Sequence, residues 1–260
     1  MRKLHFRILE YFAAKPLSIT LDLEMKKAGY RILFRGIPQK KGIINLQEAG
    51  DVILRSTQNL PLVSCLLVTK NRFDLAKQAV ACFVEQTYPN RELIILDDGQ
   101  DDHLYQWVKA LKHPKILFFR LPDESIKLGE LRNLSRQYAS GDYIAQWDDD
   151  DISHPNRLLF QMALILKFEL DGCTLQREAL YFPAKNWRGW SIRRFWEGSM
   201  IASTEKLPLY LETRKGEETD AVKRVALKGR VCLLDAPSLY TYCFHGKNTF
   251  EMTHFEKLKA

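Results

Sequence analysis

The sequence predicts an α/β fold in which helices flank both faces of a mostly parallel sheet. From Leu60 onward, short apolar runs alternate with segments in which apolar residues recur at helical spacing. The short runs are apolar throughout, as strands buried on both faces of a parallel sheet are. Regular alternation of such strands with helices is typical of this fold class.

The predicted elements follow one another in a regular order. Strand 62–68 is followed by a helix that begins near Asp74, and strand 93–96 ends shortly before Asp98. The pattern then predicts a helix at 103–111, a strand at 116–121, a helix at 128–139 and a strand at 143–147. We therefore expect at least four strands in the sheet.

The last of these strands leads into four consecutive carboxylates, Asp148 to Asp151. Adjacent anions repel one another unless a cation lies among them. Hard oxygen ligands at the end of a buried strand suit Mg²⁺ or Mn²⁺, which usually shares its coordination shell with substrate phosphates. The alternative is a solvated acidic turn that caps the next helix.

Polar side chains follow the predicted strands at the points where the strands end. Thr69 and Asn71 follow one strand, Asp98 follows the next, and Asp148 to Asp151 follow the fourth. Ligands of open parallel sheets bind beyond the carboxyl ends of the strands, so these side chains should converge on one cleft. Together with Arg132 they describe a site for a nucleotide diphosphate. The sequence contains neither GxGxxG nor a P-loop motif.

Composition is typical of a chain with one large core. The 260 residues are 46% hydrophobic, and no apolar run is long enough to cross a bilayer. Five cysteines without a CxxC pair, several of them within apolar segments, predict reduced thiols and a reducing compartment. Since no secretory signal pattern is present, we expect a cytoplasmic protein.

The basic charge is concentrated at the N-terminus. Residues 1–60 hold 11 Lys/Arg and 5 Asp/Glu, which accounts for +6 of the net charge of +7. We therefore divide the chain into a basic extension, 1–60, and a main domain, 61–260. The extension either contacts an anionic membrane surface at its inner face, binds an acidic partner, or packs on the main domain as a structural appendage. Nucleic acid is not expected as a partner, because this charge lies outside the cleft and belongs to no recognised module.

Five segments resemble, in order and spacing, the successive motifs of family 2 glycosyltransferases, whose GT-A fold has a Rossmann-like sheet. They are VSCLLVTKNR at 63–72, EQTYPNRELIILDDGQDD at 85–102, GELRN at 129–133, GDYIAQWDDDD at 141–151 and HPNRLLFQ at 154–161. The resemblance extends over about 200 residues, from Leu60 to near the end of the sequence. It implies an inverting enzyme that uses a nucleotide-sugar donor and a divalent metal ion, Mn²⁺ or Mg²⁺.

The resemblance also implies roles for individual residues of the donor site. Thr69 and Asp98 match positions that contact the nucleotide base, with Asp98 paired to a uracil-type ring. Arg132 matches a position near the nucleotide phosphates. Asn71 is assigned to the same nucleotide-binding group, because it follows the same strand as Thr69.

The metal-binding assignment rests on the DxD motif of the family, which Asp148 and Asp150 bracket. Asp149 falls where the ribose is often contacted, and Asp150 falls where the metal is bound directly. Asp148 is assigned to both the nucleotide and the metal. His245 lies in a segment that resembles one folding over the diphosphate and is predicted as a further metal ligand, although a lone histidine is more often structural.

The segment GEETDAVKRV at 216–225 resembles the family's Glu-Asp motif, whose second acid is the general base. Here that position is Glu218, where the family usually has Asp. The extra methylene displaces the carboxylate, so Glu217 and Asp220 remain alternatives. From spacing alone, Glu218 is an ordinary acid in the first turn of a helix.

Three tryptophans with arginines between them precede this segment, at 187–196. Indole faces can stack on sugar rings and guanidinium groups can hold anionic groups of an acceptor. The alternative is that the tryptophans are core and the arginines solvated.

The sequence as a whole predicts an inverting, metal-dependent glycosyltransferase of surface polysaccharide assembly, with a UDP-sugar donor and a glycan or lipid-linked acceptor. A GT-A domain that binds nucleotide-sugar or protein without catalysing transfer is the alternative, because Glu218 departs from the family pattern. A sugar-phosphate nucleotidyltransferase should show a glycine-rich loop after the first strand, and TKNR at 69–72 has no glycine.

Overall fold

The computed structural model describes residues 46–55, 60–121, 126–213 and 215–260. Most of the predicted basic extension therefore lies outside the described residues. The part that is described forms helix α1 (Leu46–Arg55), whose Ala49 and Ile53 are buried in the main hydrophobic core. This ten-residue helix is thus part of the main domain, and the boundary predicted at residue 60 does not separate it from that core.

The first half of the described chain alternates strands with helices, as predicted. Apolar strands and amphipathic helices succeed one another because each helix covers one face of the sheet. The elements are β1 (Val63–Thr69), α2 (Phe73–Val84), β2 (Arg91–Asp97), α3 (His103–Leu111), β3 (Ile116–Arg120), α4 (Leu128–Gln137) and β4 (Tyr143–Gln146).

The second half has shorter strands and a less regular order. Its elements are β5 (Ile152–Ser153), α5 (Arg157–Phe168), β6 (Gly172–Leu175), β7 (Ala179–Phe182), β8 (Trp187–Trp190), β9 (Trp196–Ser203), α6 (Glu217–Lys228), β10 (Val231–Leu234), β11 (Tyr240–Cys243) and α7 (Met252–Glu256), with 3₁₀ turns at Pro183–Lys185 and Pro237–Leu239.

The strands form two sheets. The larger sheet has the order β10-β6-β9-β4-β1-β2-β3, and β9 is antiparallel to both of its neighbours while the other pairs are parallel. The smaller sheet has the order β5-β11-β7-β8. The carboxyl ends of β1, β2 and β4 and the start of the reversed strand β9 therefore meet at one edge of the larger sheet.

The main core lies on one face of the larger sheet. Helix α5 is buried along almost its whole length, and α1 packs against its outer side. Trp147 is buried just beyond β4, and its Nε1–H donates to the Ala79 carbonyl at 3.0 Å. All five cysteines are buried and free, as the sequence predicts for core thiols. Within the described ranges, no helix is both long and apolar enough to cross a membrane.

Candidate active site

A cleft of about 840 Å³ lies at the edge of the larger sheet where the strands β1, β2 and β4 end. Its size is ordinary for a small-molecule site. The predicted site residues that line it are Thr69, Asp98, Arg132, Asp148, Asp149, Asp150 and Glu218. Asn71 and His245 lie just outside the lining. The convergence expected from the sheet topology is therefore present.

Asp98 lies at the end of the cleft beside β2. It is buried, and its Oδ2 accepts a hydrogen bond from Lys70 Nζ at 2.8 Å. Its Oδ1 is also buried but has no hydrogen-bond partner among the described residues. A buried carboxylate oxygen without a donor is costly, so this atom is suited to accept an N–H from a ligand.

Asn71 does not point into the cleft. Its backbone is left-handed, with φ of 52°. Its Oδ1 accepts the backbone N–H groups of Gln100 at 3.0 Å and Asp101 at 3.3 Å. A Cβ on Gly99 would lie 2.5 Å from that oxygen, so this close approach requires glycine. Asn71 thus holds the loop that follows Asp98. It was predicted to bind nucleotide because it follows the same strand as Thr69, and the sequence does not reveal its contact with this loop.

Asp149 is held by two neighbours. Its Oδ2 accepts the Thr69 hydroxyl at 2.7 Å, and its Oδ1 accepts Arg72 Nη1 at 3.0 Å. Burial, reinforced by the charge of Asp150, raises the pKa of Asp149 to about 6. Thr69, which was predicted to contact the base, thus donates a hydrogen bond from its hydroxyl to Asp149 and still lines the cleft.

Asp150 receives three donors on a single oxygen. Its Oδ2 lies 3.1 Å from His245 Nε2, 3.4 Å from Asn248 Nδ2 and 3.4 Å from Arg72 Nη1. Asp150 and His245, which were each predicted as metal ligands, therefore lie in contact. Within the described chain, no group of three or more His, Cys, Asp and Glu side chains is arranged to hold a metal ion.

Asp148 faces a different set of groups from Asp150. Its Oδ1 accepts Arg132 Nη2 and Gln146 Nε2, both at 3.1 Å. The Tyr240 hydroxyl lies 3.4 Å from its Oδ2. The two acids that bracket the DxD motif are thus engaged by different partners, and Asp148 is paired with Arg132 rather than with His245.

Asp151, the fourth acid of the run, ties this turn to β11. It is fully buried, and its oxygens accept the Tyr240 hydroxyl at 2.7 Å and the Cys243 backbone N–H at 2.9 Å. Burial, together with the charges of Asp150 and Asp148, raises the pKa of Asp151 well above its usual range. The sequence placed Asp151 in the acidic run that suits a divalent cation but gave it no individual role, and it gave none to Tyr240.

Arg132 is buried and surrounded by three carboxylates. Its Nε donates to Glu217 at 2.9 Å, and its Nη2 pairs with both Asp148 and Glu218. Burial alone would lower the pKa of Arg132, but Glu218, Asp148 and Glu217 hold it well above the usual value. The guanidinium therefore links the DxD turn to the start of α6.

Glu218 is the more accessible of the two α6 acids that pair with Arg132. Its side chain is 21% exposed, whereas that of Glu217 is 3% exposed. Asp220 pairs with Arg224 at 2.7 Å and does not line the cleft. Burial raises the pKa of Glu218 to about 8, against the opposing effect of Arg132 and with added contributions from Asp148 and Glu217.

Of the three tryptophans considered for stacking on sugar rings, only one lines the cleft, on the wall beside β9. Trp196 lines the cleft, with the Arg194 guanidinium 5.0 Å from its ring centre. Arg194 also pairs with Glu197, which accepts the Thr219 hydroxyl as well. Trp187 packs instead on Phe182 in the smaller sheet, 4.9 Å between ring centres.

Arg72 is the functional candidate that the sequence reasoning missed. It lines the cleft, contacts Asp149 and Asp150, and donates from Nη2 to the Lys247 carbonyl at 3.1 Å. The signal for it was weak. Arg72 directly follows Asn71 in the first motif, but nothing in the sequence shows that its side chain crosses to the acidic turn.

Comparisons with known proteins find related sequences and structures. The model for "Glycosyl transferase family 2" matches residues 64–221. The chain is 39% identical over 103 residues to the Escherichia coli K12 protein named "Putative colanic acid biosynthesis glycosyl transferase WcaA", covering 39% of this chain and 37% of that protein. It is 33% identical over 107 residues to an E. coli protein named "UDP-Glc:alpha-D-GlcNAc-diphosphoundecaprenol beta-1,3-glucosyltransferase WfgD", covering 41% of this chain and 42% of that protein.

Solved structures show the same fold. A fragment of Staphylococcus aureus TarS in complex with UDP-GlcNAc superposes with a TM-score of 0.62 at 18% identity, covering 74% of this chain and 60% of that one. The fragment in complex with UDP superposes with a TM-score of 0.61 at 16% identity, covering 74% of this chain and 68% of that one. The matched segments span less than half the length of these two E. coli relatives.

Proposed function

Because this chain belongs to glycosyltransferase family 2, we propose that it transfers a sugar from a nucleotide-sugar donor to a hydroxyl group of a glycan or lipid-linked acceptor. The donor proposed is a UDP-sugar. In support, the TarS fragment binds UDP-GlcNAc and UDP, and the name of WfgD specifies UDP-Glc and a diphosphoundecaprenol-linked acceptor.

The observation that carries this proposal is the unpaired oxygen of Asp98. Oδ1 of Asp98 is buried at the nucleotide end of the cleft and has no donor among the described residues. A uracil ring carries an imide N–H that would satisfy such an oxygen, whereas cytosine has no donor at that ring position. Lys70 holds the other oxygen and so fixes the orientation of the carboxylate.

The residues near Asp150 fit a divalent metal ion. A carboxylate oxygen with an imidazole nitrogen 3.1 Å away is a donor set that Mn²⁺ accepts, and Mg²⁺ would rely on Asp150 and phosphate oxygens. Asp150 and His245 would hold the ion. When bound, it would neutralise the charge on the departing diphosphate. Since these two side chains form only part of a shell, donor phosphates are expected to complete it.

Glu218 is proposed as the general base. It lies on α6 at the side of the DxD turn away from Asp98, and part of its side chain is exposed in the cleft. A base there would take the proton of the acceptor hydroxyl as that oxygen attacks the anomeric carbon. Attack on the face opposite the leaving diphosphate inverts the anomeric centre. Arg132 orients Glu218 through their ion pair.

The cellular role proposed is polysaccharide assembly in the cytoplasm, at the inner face of the membrane where lipid-linked acceptors would be reached. The name of WcaA, which refers to colanic acid biosynthesis, supports this role. The competing function is a GT-A domain that binds nucleotide-sugar without catalysing transfer. Release of UDP from a UDP-sugar in the presence of Mn²⁺ would exclude it.

The test is a thermal-shift titration of UDP and GDP, with and without Mn²⁺, on the wild type and on Asp150→Ala. A ligand that binds only the folded state stabilises it by about 2.7 kcal/mol at a hundredfold excess over its dissociation constant. We expect UDP with Mn²⁺ to raise the melting midpoint most, and Asp150→Ala to remove the contribution of Mn²⁺. If neither nucleotide shifts the midpoint of the wild type, the donor-site proposal is wrong.

A further inference from the structure

The guanidinium of Arg72 bridges three parts of the site. Nη1 lies 3.0 Å from Asp149 Oδ1 and 3.4 Å from Asp150 Oδ2, and Nη2 donates to the Lys247 carbonyl at 3.1 Å. One side chain thus joins the acidic turn after β4 to the segment that carries His245. It does so with 33% of its surface still exposed in the cleft.

The backbone of Arg72 is fixed, whereas its side chain is long. Its carbonyl accepts the Ala76 N–H at 2.9 Å in the first turn of α2, and the preceding residue, Asn71, is locked to the neighbouring loop. The base of the side chain is therefore anchored at the edge of the sheet. The guanidinium can exchange one partner for another by rotation of the side chain, without movement of the backbone.

Arg72 supplies positive charge where two adjacent carboxylates need it. Asp149 is buried and Asp150 is only 14% exposed, so neither charge is well solvated. A monovalent guanidinium shared between them compensates part of this charge. A divalent ion bound to Asp150 Oδ2 would lie next to the same guanidinium, and two cations at that separation repel strongly.

We propose that Arg72 takes the place of the divalent ion at Asp150 in the free protein and transfers its contacts to the donor diphosphate when the ion binds. This inference rests on the proposed metal role of Asp150. Guanidinium groups bind phosphate oxygens in a two-pronged geometry, and Arg72 is already within the lining of the cleft. The ion is then held weakly by the protein alone and firmly together with the nucleotide, so the two bind cooperatively.

The first test measures Mn²⁺ binding without nucleotide, from the electron paramagnetic resonance signal of the free ion. Arg72→Gln removes the competing charge and should tighten Mn²⁺ binding about fivefold. Arg72→Lys keeps the charge and should stay near the wild type. Arg193→Gln is the charge-matched control, because Arg193 is 58% exposed and pairs with Asp235. Adding Asp150→Ala to Arg72→Gln should abolish the gain.

The second test measures UDP binding by calorimetry at saturating Mn²⁺. Arg72→Gln should weaken UDP binding about tenfold or more, because a charge-assisted contact with the diphosphate is lost. Uridine, which lacks phosphates, should bind the variant and the wild type equally in saturation-transfer NMR. Tighter metal binding combined with weaker UDP binding is a signature that a merely structural role of Arg72 would not produce.

Several outcomes would overturn the inference. Mn²⁺ binding that is unchanged or weaker in Arg72→Gln excludes competition, and so does the absence of Mn²⁺ binding to both proteins. Equal losses of UDP and uridine binding would show that the pocket was damaged. Failure of the proposed function is distinguishable from these results, because it would appear as a wild type that UDP and Mn²⁺ do not stabilise.

Discussion

Glu218 combines two properties that a general base requires. It is ion-paired with Arg132, which orients it, and it remains partly exposed in the cleft, where an acceptor hydroxyl can reach it. A carboxylate can accept a proton only when it is ionised. Because burial raises the pKa of Glu218 to about 8, its ionised fraction increases as the pH rises through about 8.

We expect kcat/KM for the release of UDP from a UDP-sugar to rise with pH up to about 8 and then level off, because kcat/KM reports ionisations of the free enzyme. Glu218→Gln should lower kcat by about 10²–10⁴-fold and remove this rise. UDP binding should be retained, since Glu218 lies away from the Asp98 end of the cleft.

Asp220→Asn is the matched control for this prediction. It changes a neighbouring acid on the same helix that pairs with Arg224 outside the cleft lining. If Asp220→Asn rather than Glu218→Gln abolished the rise with pH, the assignment of the base would be wrong.

At the scale of elements, Arg157 joins the two sheets at the start of α5. It is fully buried and donates to Ser153 Oγ on β5, to the Gln146 carbonyl on β4 and to the Gly198 carbonyl on β9. Its guanidinium also lies over the ring of Tyr240, 4.8 Å from the ring centre. One buried side chain therefore links the strands β4 and β5, which flank the acidic turn Asp148 to Asp151, to β9.

We expect Arg157→Met to lower the free energy of unfolding by about 3–5 kcal/mol, since removing one partner from a buried polar network leaves the other groups unpaired. Burial already raises the pKa of Glu178 well above its usual value against the nearby charge of Arg157, and loss of that charge should raise it further. Urea unfolding followed by circular dichroism measures the change.

Arg193→Met, on a largely exposed arginine, is the control and should change stability far less. A loss below about 1 kcal/mol in Arg157→Met would mean that water replaces the guanidinium, and that Arg157 does not hold the two sheets together.

At the scale of the whole molecule, the order of the strands decides what the cleft can do. The sheet order β2-β1-β4-β9 places Asp98, Thr69, Asp148 and Glu197 in succession along one edge. A molecule bound across this edge would therefore meet the unpaired oxygen of Asp98 at one end and the acids of α6 at the other.

The burial of the cysteines predicts how their thiols react in the folded protein. All five are buried, and burial raises the pKa of the Cys65 and Cys82 thiols to about 12, so they are poorly ionised at neutral pH. We expect a thiol reagent such as Ellman's reagent to titrate none of them in the folded protein and all five in denaturant. Rapid reaction of one thiol before unfolding would contradict the burial.

Strands β1 to β4 of the larger sheet were predicted from the sequence, whereas β6, β9 and β10 of that sheet and the whole smaller sheet were not. Strands β1 to β4 are apolar runs that alternate with helices, and their predicted bounds differ from the observed ones by at most one residue, except that β2 begins at Arg91, two residues before the predicted start. Strands β5, β7, β8 and β11 have only two to four residues, and β5 and β7 both pair with β11, which follows them by about 60 to 90 residues. No local periodicity reveals such distant pairing.

The candidate site was predictable in part for a related reason. Motif positions identified the acids at the strand ends, because their location depends on local order along the chain. The side-chain contacts of Arg72, Arg132 and Tyr240 cross from one segment to another, over 77 residues to Asp149, 85 to Glu217 and 89 to Asp151, respectively. Asn71 is a polar residue next to the site that shapes the loop after Asp98, through backbone contacts that its position in the sequence does not reveal.

The two ends of the cleft are built on different secondary structure, and this difference affects which end can change without loss of the fold. The Asp98 end is built on long, central, parallel strands, where an insertion would disrupt the core. The opposite end is built on the reversed strand β9 and the start of α6. Loops there can be exchanged with little effect on the central strands. We therefore expect acceptor preference to vary among related proteins more than nucleotide binding does. Grafting loops at this end should change the acceptor without altering the nucleotide pocket.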